Sequence, residues 1–394
     1  MDHSPALQPR MEQLQWGALI VGVGGLVLCG VGVFLDPVQF FRSYLLAYIF
    51  WLGLPLGCLG ILMVHYLVGG TWGAIIRRVL ESGTRTLPLM VLFFVPLLFG
   101  LRELYSWALP QVVAQDELLR HKSPYLNVPF FAVRLAVYFV AWLLPAYLLN
   151  RWSHQQDRTP EWVAQRPIRR RLILVSGFGL LLYGFTMTFA AIDWVMSLEP
   201  HWYSSIYGIL MVVGQLLGAL AFVVVVTGWL APYDPMSEVL SPTHVHDLGN
   251  LLLASVLFWA YISFSQWLII WSGNLPEEVI WYVRRTEGGW QWIALTLVLC
   301  QFALPFVFLL SSDVKRHARR LAAVAAVILF MRLVDVFWIV MPAFYRDGLS
   351  LHWLDPTALI GIGGGWMAFF VWHLKRRSLL PRYDPDLQGV TPHG

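Results

Sequence analysis

Ten stretches of roughly twenty apolar residues, each long enough to cross ~30 Å of hydrocarbon as a helix, dominate this chain. They fall near 15–35, 43–69, 86–108, 127–150, 172–196, 203–230, 247–272, 289–312, 321–344 and 356–374. Backbone polar groups in lipid must be paired within their own segment, so runs of this kind become helices. Composition agrees: 58% of the 394 residues are hydrophobic and 13% are charged, against roughly 25% charged in a soluble domain. A surplus that includes 20 Trp and 24 Phe has no water-soluble core to hide in. The expected fold is an all-α polytopic membrane protein with ten transmembrane helices. The first run is too long for a signal peptide and lacks a small-residue cleavage site, so it reads as a retained helix.

Basic residues set the expected orientation. Ten spans place both ends of the chain on one side, together with the loops near 70–85, 151–171, 231–246 and 313–320. That side carries eighteen of the 27 Lys and Arg, the other side six, and three (Arg102, Arg134 and Arg332) fall inside spans. Positive charge accumulates on the cytoplasmic side of membrane proteins, so both termini are expected there. The net charge of +4 then reflects topology and calls for no nucleic-acid partner. The cysteines Cys29, Cys58 and Cys300 lie in separate spans, with no CxxC, haem-attachment or cluster spacing. Neither a metal site nor a covalently bound cofactor is expected.

A weak repeat runs at an offset near 160. "SYLLAYIFWLGLPLG" (43–57) lies against "SSIYGILMVVGQLLG" (204–218), "VLESGT" (79–84) against "VLSPT" (239–243), and "LPAYLLN" (144–150) against "LPFVFLL" (304–310). Asp193 precedes Pro200 by seven positions, as Asp335 precedes Pro342. Four spans separate the copies, an even number, so the copies point the same way. The implied layout is two parallel four-helix bundles, helices 2–5 and 6–9, flanked by helices 1 and 10. The corresponding segments are 1–42, 43–202, 203–345 and 346–394.

Ionisable groups inside a membrane are costly and usually face the bundle interior. Arg332 and Asp335 are three apart on the ninth span and so share a face. Arg102 and Glu103 fall in the outer half of the third span, Arg134 near the outer end of the fourth, and Asp193 at the outer end of the fifth. His65 closes the second span; His246 and Asp247 open the seventh. Gln215 and Gln301, with Thr188, add hydrogen-bonding groups at intermediate depth. Asp193, Glu103, Asp335, His65, His246 and Asp247 are therefore candidates for a proton path, with Arg102, Arg134, Arg332, Gln215 and Gln301 as polar partners. Each has a plainer reading: a buried structural pair for Arg332–Asp335, interfacial histidines, a snorkelling Arg134, and Asp247 as a helix N-cap. "GIGGG" (361–365) has no strand before it and reads as close helix packing, not a nucleotide loop.

Several stretches carry a resemblance. "FFRSYL" (40–45), "TFAAIDWVMSLEPHWYSSIYG" (188–208), "HDLGNLLLA" (246–254), "YISFSQWLIIWSGNLPEE" (261–278) and "RLVDVFWIVMPAF" (332–344) resemble the F subunits of bacterial alternative complex III. These belong with the NrfD-like, polysulfide-reductase-type membrane subunits, and the similarity extends from about 10 to 385. It implies a subunit of a respiratory complex that oxidises quinol and passes electrons to a cytochrome or terminal oxidase. The implied partners are a paralogous membrane subunit, iron–sulfur and haem c proteins, and a terminal oxidase. The implied ligands are lipid and a quinone or quinol, menaquinone and ubiquinone being equally compatible. Two other classes stand beside it: a purely structural, lipid-binding subunit, and a stand-alone secondary transporter.

Overall fold

The computed structural model describes residues 5–384 and Leu387. Among these described residues, ten helices are long and apolar enough to span a membrane: α1 Leu7–Leu35, α2 Pro37–Val68, α3 Thr71–Phe99, α4 Val128–Gln156, α5 Ala164–Leu198, α6 Tyr207–Leu230, α7 Pro242–Gly273, α8 Trp290–Leu310, α9 Ala318–Ala343 and α10 Leu354–Leu374. The protein is an all-α, multi-pass membrane protein. The side where α1 begins and α10 ends is called the terminal face below, and its opposite the far face.

Local chemistry fixes several helix ends. Asp36 caps α2 by accepting from the Gln39 N–H (3.0 Å), ahead of Pro37 at the first turn. Asn127 does the same for α4 through Phe130 (2.9 Å), and Ser241 forms a reciprocal capping box with His244 at the start of α7. These side chains satisfy N–H groups that have no intrahelical partner. Gly69 and Gly70, at φ of 75° and 102°, make the turn that ends α2, a backbone region glycine enters without steric cost.

α2 and α6 are enclosed on nearly all sides, whereas α1 and α8 mostly face outward. α2 packs on α3, α3 on α4, α4 on α5, and α5 back on α2; α6, α7, α8 and α9 close a second ring in the same order. The two bundles meet along α2 and α6, and α1 with α10 forms a pair laid against α2. Helix association in lipid gains little from the hydrophobic effect and depends on close packing. At the bundle junction, Gly57 leaves room for the backbone of Gln215 and for Ala219, whose Cβ would lie 2.5 Å from a Cβ at that position. Between α1 and α10, a Cβ at Gly25 would lie 2.7 Å from the Gly361 backbone, and one at Gly22 would lie 2.6 Å from Gly365 N. The glycines of "GIGGG" thus serve helix packing.

The third helix departs furthest from the sequence expectation. The segment expected as a 70–85 loop is helical from Thr71 to Thr84, and the membrane helix stops at Phe99 instead of 108. Gly100 breaks it, and Leu101–Leu104 forms a separate short helix. Arg102 and Glu103 are therefore exposed at the far face and are not inside a span. The chain tolerates Arg77, Arg78 and Glu81 in a buried helix because they pair with one another and with the tail that follows α10.

Candidate functional site

Asp193, on the last turns of α5, is wholly buried. Arg134 on α4 grips it with two parallel hydrogen bonds, Nε to Oδ2 at 2.8 Å and Nη2 to Oδ1 at 2.9 Å. Tyr138, one turn along α4 from Arg134, donates its hydroxyl to Oδ2 at 2.6 Å. Arg134 also donates to the Tyr125 carbonyl (2.8 Å), and its guanidinium lies 3.9 Å from the Tyr125 ring centroid. Bidentate charge-assisted bonds of this kind are the strong ones. Arg134 does not snorkel; it is the counter-ion of Asp193. The next residue, Trp194, packs among Tyr48, Phe94, Tyr138, Phe139 and Trp142. Trp107 donates to the Ser197 hydroxyl (3.0 Å), which donates to the Asp193 carbonyl (2.6 Å).

The second bundle repeats the carboxylate but not its partner. Asp335 on α9 is paired with Arg332, one turn earlier on the same helix, and accepts from Trp259 Nε1 of α7 at 3.0 Å. Gln301 stands beside this pair in a π-helical stretch of α8, Leu297–Ala303. Oriented by hydrogen-bonding chemistry, its amide donates to the Met331 carbonyl at 2.8 Å. The Arg332 guanidinium fills the space in front of Gly214 on α6, which any side chain there would take. Next to it, Gln215 accepts from the Tyr183 hydroxyl of α5 at 2.7 Å. A void of about 20 Å³, lined by Gln215, Arg332 and Gly53 among others, separates these groups. That is room for one water molecule.

At the terminal face, charges expected in the 70–85 loop lie in a helix and form a buried network. Glu81 lies 2.7 Å from Arg78, 3.4 Å from Arg77 and 3.3 Å from Arg377, and accepts from Ser153 Oγ at 2.5 Å. Arg78 also reaches Asp157 (2.5 Å), while Arg77 pairs with Asp384 of the tail. A signal for this was present: Arg77 and Arg78 stand four and three residues before Glu81, on one helix face. His65 is buried nearby, its ring against Tyr66 and Trp72. In the other bundle, His246 is half-buried and meets Asn250 (3.2 Å). Asp247 is not the cap of α7; Ser241 takes that role six residues earlier.

At the far face, Glu199 from the α5–α6 turn joins Arg284 (2.7 Å) and buried Arg285 (2.9 Å) from the α7–α8 connection. Arg285 also donates to the Ile339 carbonyl (2.9 Å). This ties the first bundle's last turn to the second bundle. A charged cleft of about 540 Å³ opens here and holds Arg42, Glu103, Asp116, Glu199, Arg284 and Arg346. The backbone N–H of Leu119, with His201 beside the carboxyl, holds Asp116 below the usual aspartate pKa.

The sequence candidates therefore separate into groups. Arg332, Asp335, Gln215 and Gln301 gather around the bundle junction. Asp193 and Arg134 form a closed unit in the first bundle, Glu103 and Arg102 sit at the far surface, and His65, His246 and Asp247 lie toward the terminal face. Tyr138, Trp259, Glu81 and Glu199 were not singled out from the sequence. Neither a protein-family model nor a curated protein sequence matches the chain.

Proposed function

We propose that the chain is an integral subunit of a quinol-oxidising electron-transport complex of the alternative complex III type, and that it handles protons without a redox centre of its own. The observation that carries this reading is the polar cluster at the bundle junction. Tyr183, Gln215, Arg332, Asp335 and Trp259 draw on α5, α6, α9 and α7, with a water-sized void between Gln215 and Arg332. Ionisable groups buried inside a membrane are costly, and they line ion and proton pathways. Quinol oxidation releases two protons for each two electrons, so groups that accept and pass protons suit a subunit of such a complex. Support for quinol as the electron donor comes from the motif resemblance.

A specific observation favours a second reading, a structural frame: Asp193, Asp335 and Glu81 are all engaged by arginine. The transporter class has less support. α2 and α4 run unbroken through Pro55 and Pro145, unlike the interrupted helices that form transporter binding sites.

Asp335→Asn in the intact complex separates the first two readings. Proton handling predicts slowed quinol-coupled proton release with the complex still assembled. Release at the unaltered rate would leave the frame alone standing.

A further inference from the structure

A second far-face cavity, of about 470 Å³, lies between the connection that precedes α4, residues 118–126, and the last turns of α5. It shares Pro200, His201 and Trp202 with the charged cleft described above, so the "EPHW" turn is the wall between the two. Their chemistry differs. The charged cleft holds Glu103, Asp116 and Glu199, whereas this cavity is lined by His121, Lys122 and His201, the last of them paired with Asp116 at 2.9 Å, and by no acidic side chain. The rest of its wall is largely apolar, with Leu126, Ile192 and Met196 among the residues that shape it.

We infer that this cavity is a binding site for one anionic phospholipid, whose acyl chain enters the apolar slot and whose phosphate meets Lys122. The volume is within the range of sites that enclose small molecules, about 300–1,000 Å³. Exposed Tyr203 and half-buried Tyr125 line the cavity, and such rings sit at headgroup level in membranes. Lys122 spends one of its three protons on the Pro200 carbonyl (2.7 Å), which leaves two donors. Burial pulls its pKa below the ordinary lysine value, with Asp116 pulling the other way. An arriving phosphate relieves that partly desolvated charge. A neutral amphiphile leaves it uncompensated, and a free phosphate leaves the apolar slot unfilled. The site stands independently of the quinol reading, because its test measures bound lipid and no electron transfer.

The test uses the full chain, delipidated and reconstituted with phosphatidylglycerol or phosphatidylcholine, and native mass spectrometry of the lipid retained. Phosphatidylglycerol is expected to stay bound in preference to phosphatidylcholine, and excess inorganic phosphate is expected not to displace it. Lys122→Glu shifts the local charge by two units and should lower phosphatidylglycerol retention by about tenfold or more, because basic groups near the surface attract anionic headgroups. Met196→Trp keeps every charge and fills the slot, so it should lower retention as well; it decides the matter if Lys122→Glu does not fold. Equal retention of the two lipids, displacement by phosphate, or undiminished retention in either folded variant would overturn the assignment.

Discussion

Asp193 and Asp335 occupy the same register, seven residues before a proline, yet they are neutralised by different means. In the first bundle the arginine comes from the neighbouring helix with a tyrosine behind it; in the second it comes from one turn back on the same helix, with a tryptophan across the bundle. The repeat was legible in the Asp–Pro spacing. The Arg134–Asp193 pair was not, because the two residues are 59 positions apart and no local rule links them. Removing one member of a buried pair strands the other charge, at a cost of about 3–5 kcal/mol. Arg134→Ala is therefore expected to destabilise the first bundle by that order, read as thermal unfolding in detergent. Arg134→Met combined with Asp193→Leu removes both charges and should recover most of the loss. A double variant as unstable as the single one would show that the pair itself, and not the stranded carboxylate, sets the effect.

At the scale of helices, glycine position separates packing from mere composition. Gly24 and Gly25 are adjacent in α1, but only Gly25 faces α10; a Cβ at Gly24 meets nothing within 4 Å. Gly24→Ala should be neutral or stabilising by up to ~1 kcal/mol, the usual gain over glycine inside a helix. Gly25→Val drives a branched side chain into the Gly361 backbone and should cost about 1–3 kcal/mol, read as earlier thermal release of α1 and α10. Equal effects at both positions would contradict the packing described. Nine of the ten helices lie close to the expected apolar runs, since hydrophobic length alone defines them. The third slid toward the N-terminus because hydropathy does not register that Arg77, Arg78 and Glu81 cancel one another, nor that Gly100 stops the helix.

For the whole molecule, two rings of four helices joined along α2 and α6 leave α1, α7 and α8 as the broad outward surfaces. The order of helices was readable from the repeat; the far-face bridge from Glu199 to Arg284 and Arg285 was not, because it is made by connections between helices, where apolar periodicity carries no information. That bridge joins the two bundles at the far face, and the tail pairs Arg77–Asp384 and Arg377–Glu81 tie the segment after α10 to α3 at the terminal face. The most direct measurement is purification of the affinity-tagged chain from its native membranes under mild detergent, followed by identification of the accompanying chains, haem and iron–sulfur spectroscopy, and a quinol-oxidation assay. The account predicts co-purification with haem- and iron–sulfur-containing chains in a complex that oxidises quinol. Recovery of the chain alone, free of redox partners and activity, would contradict it.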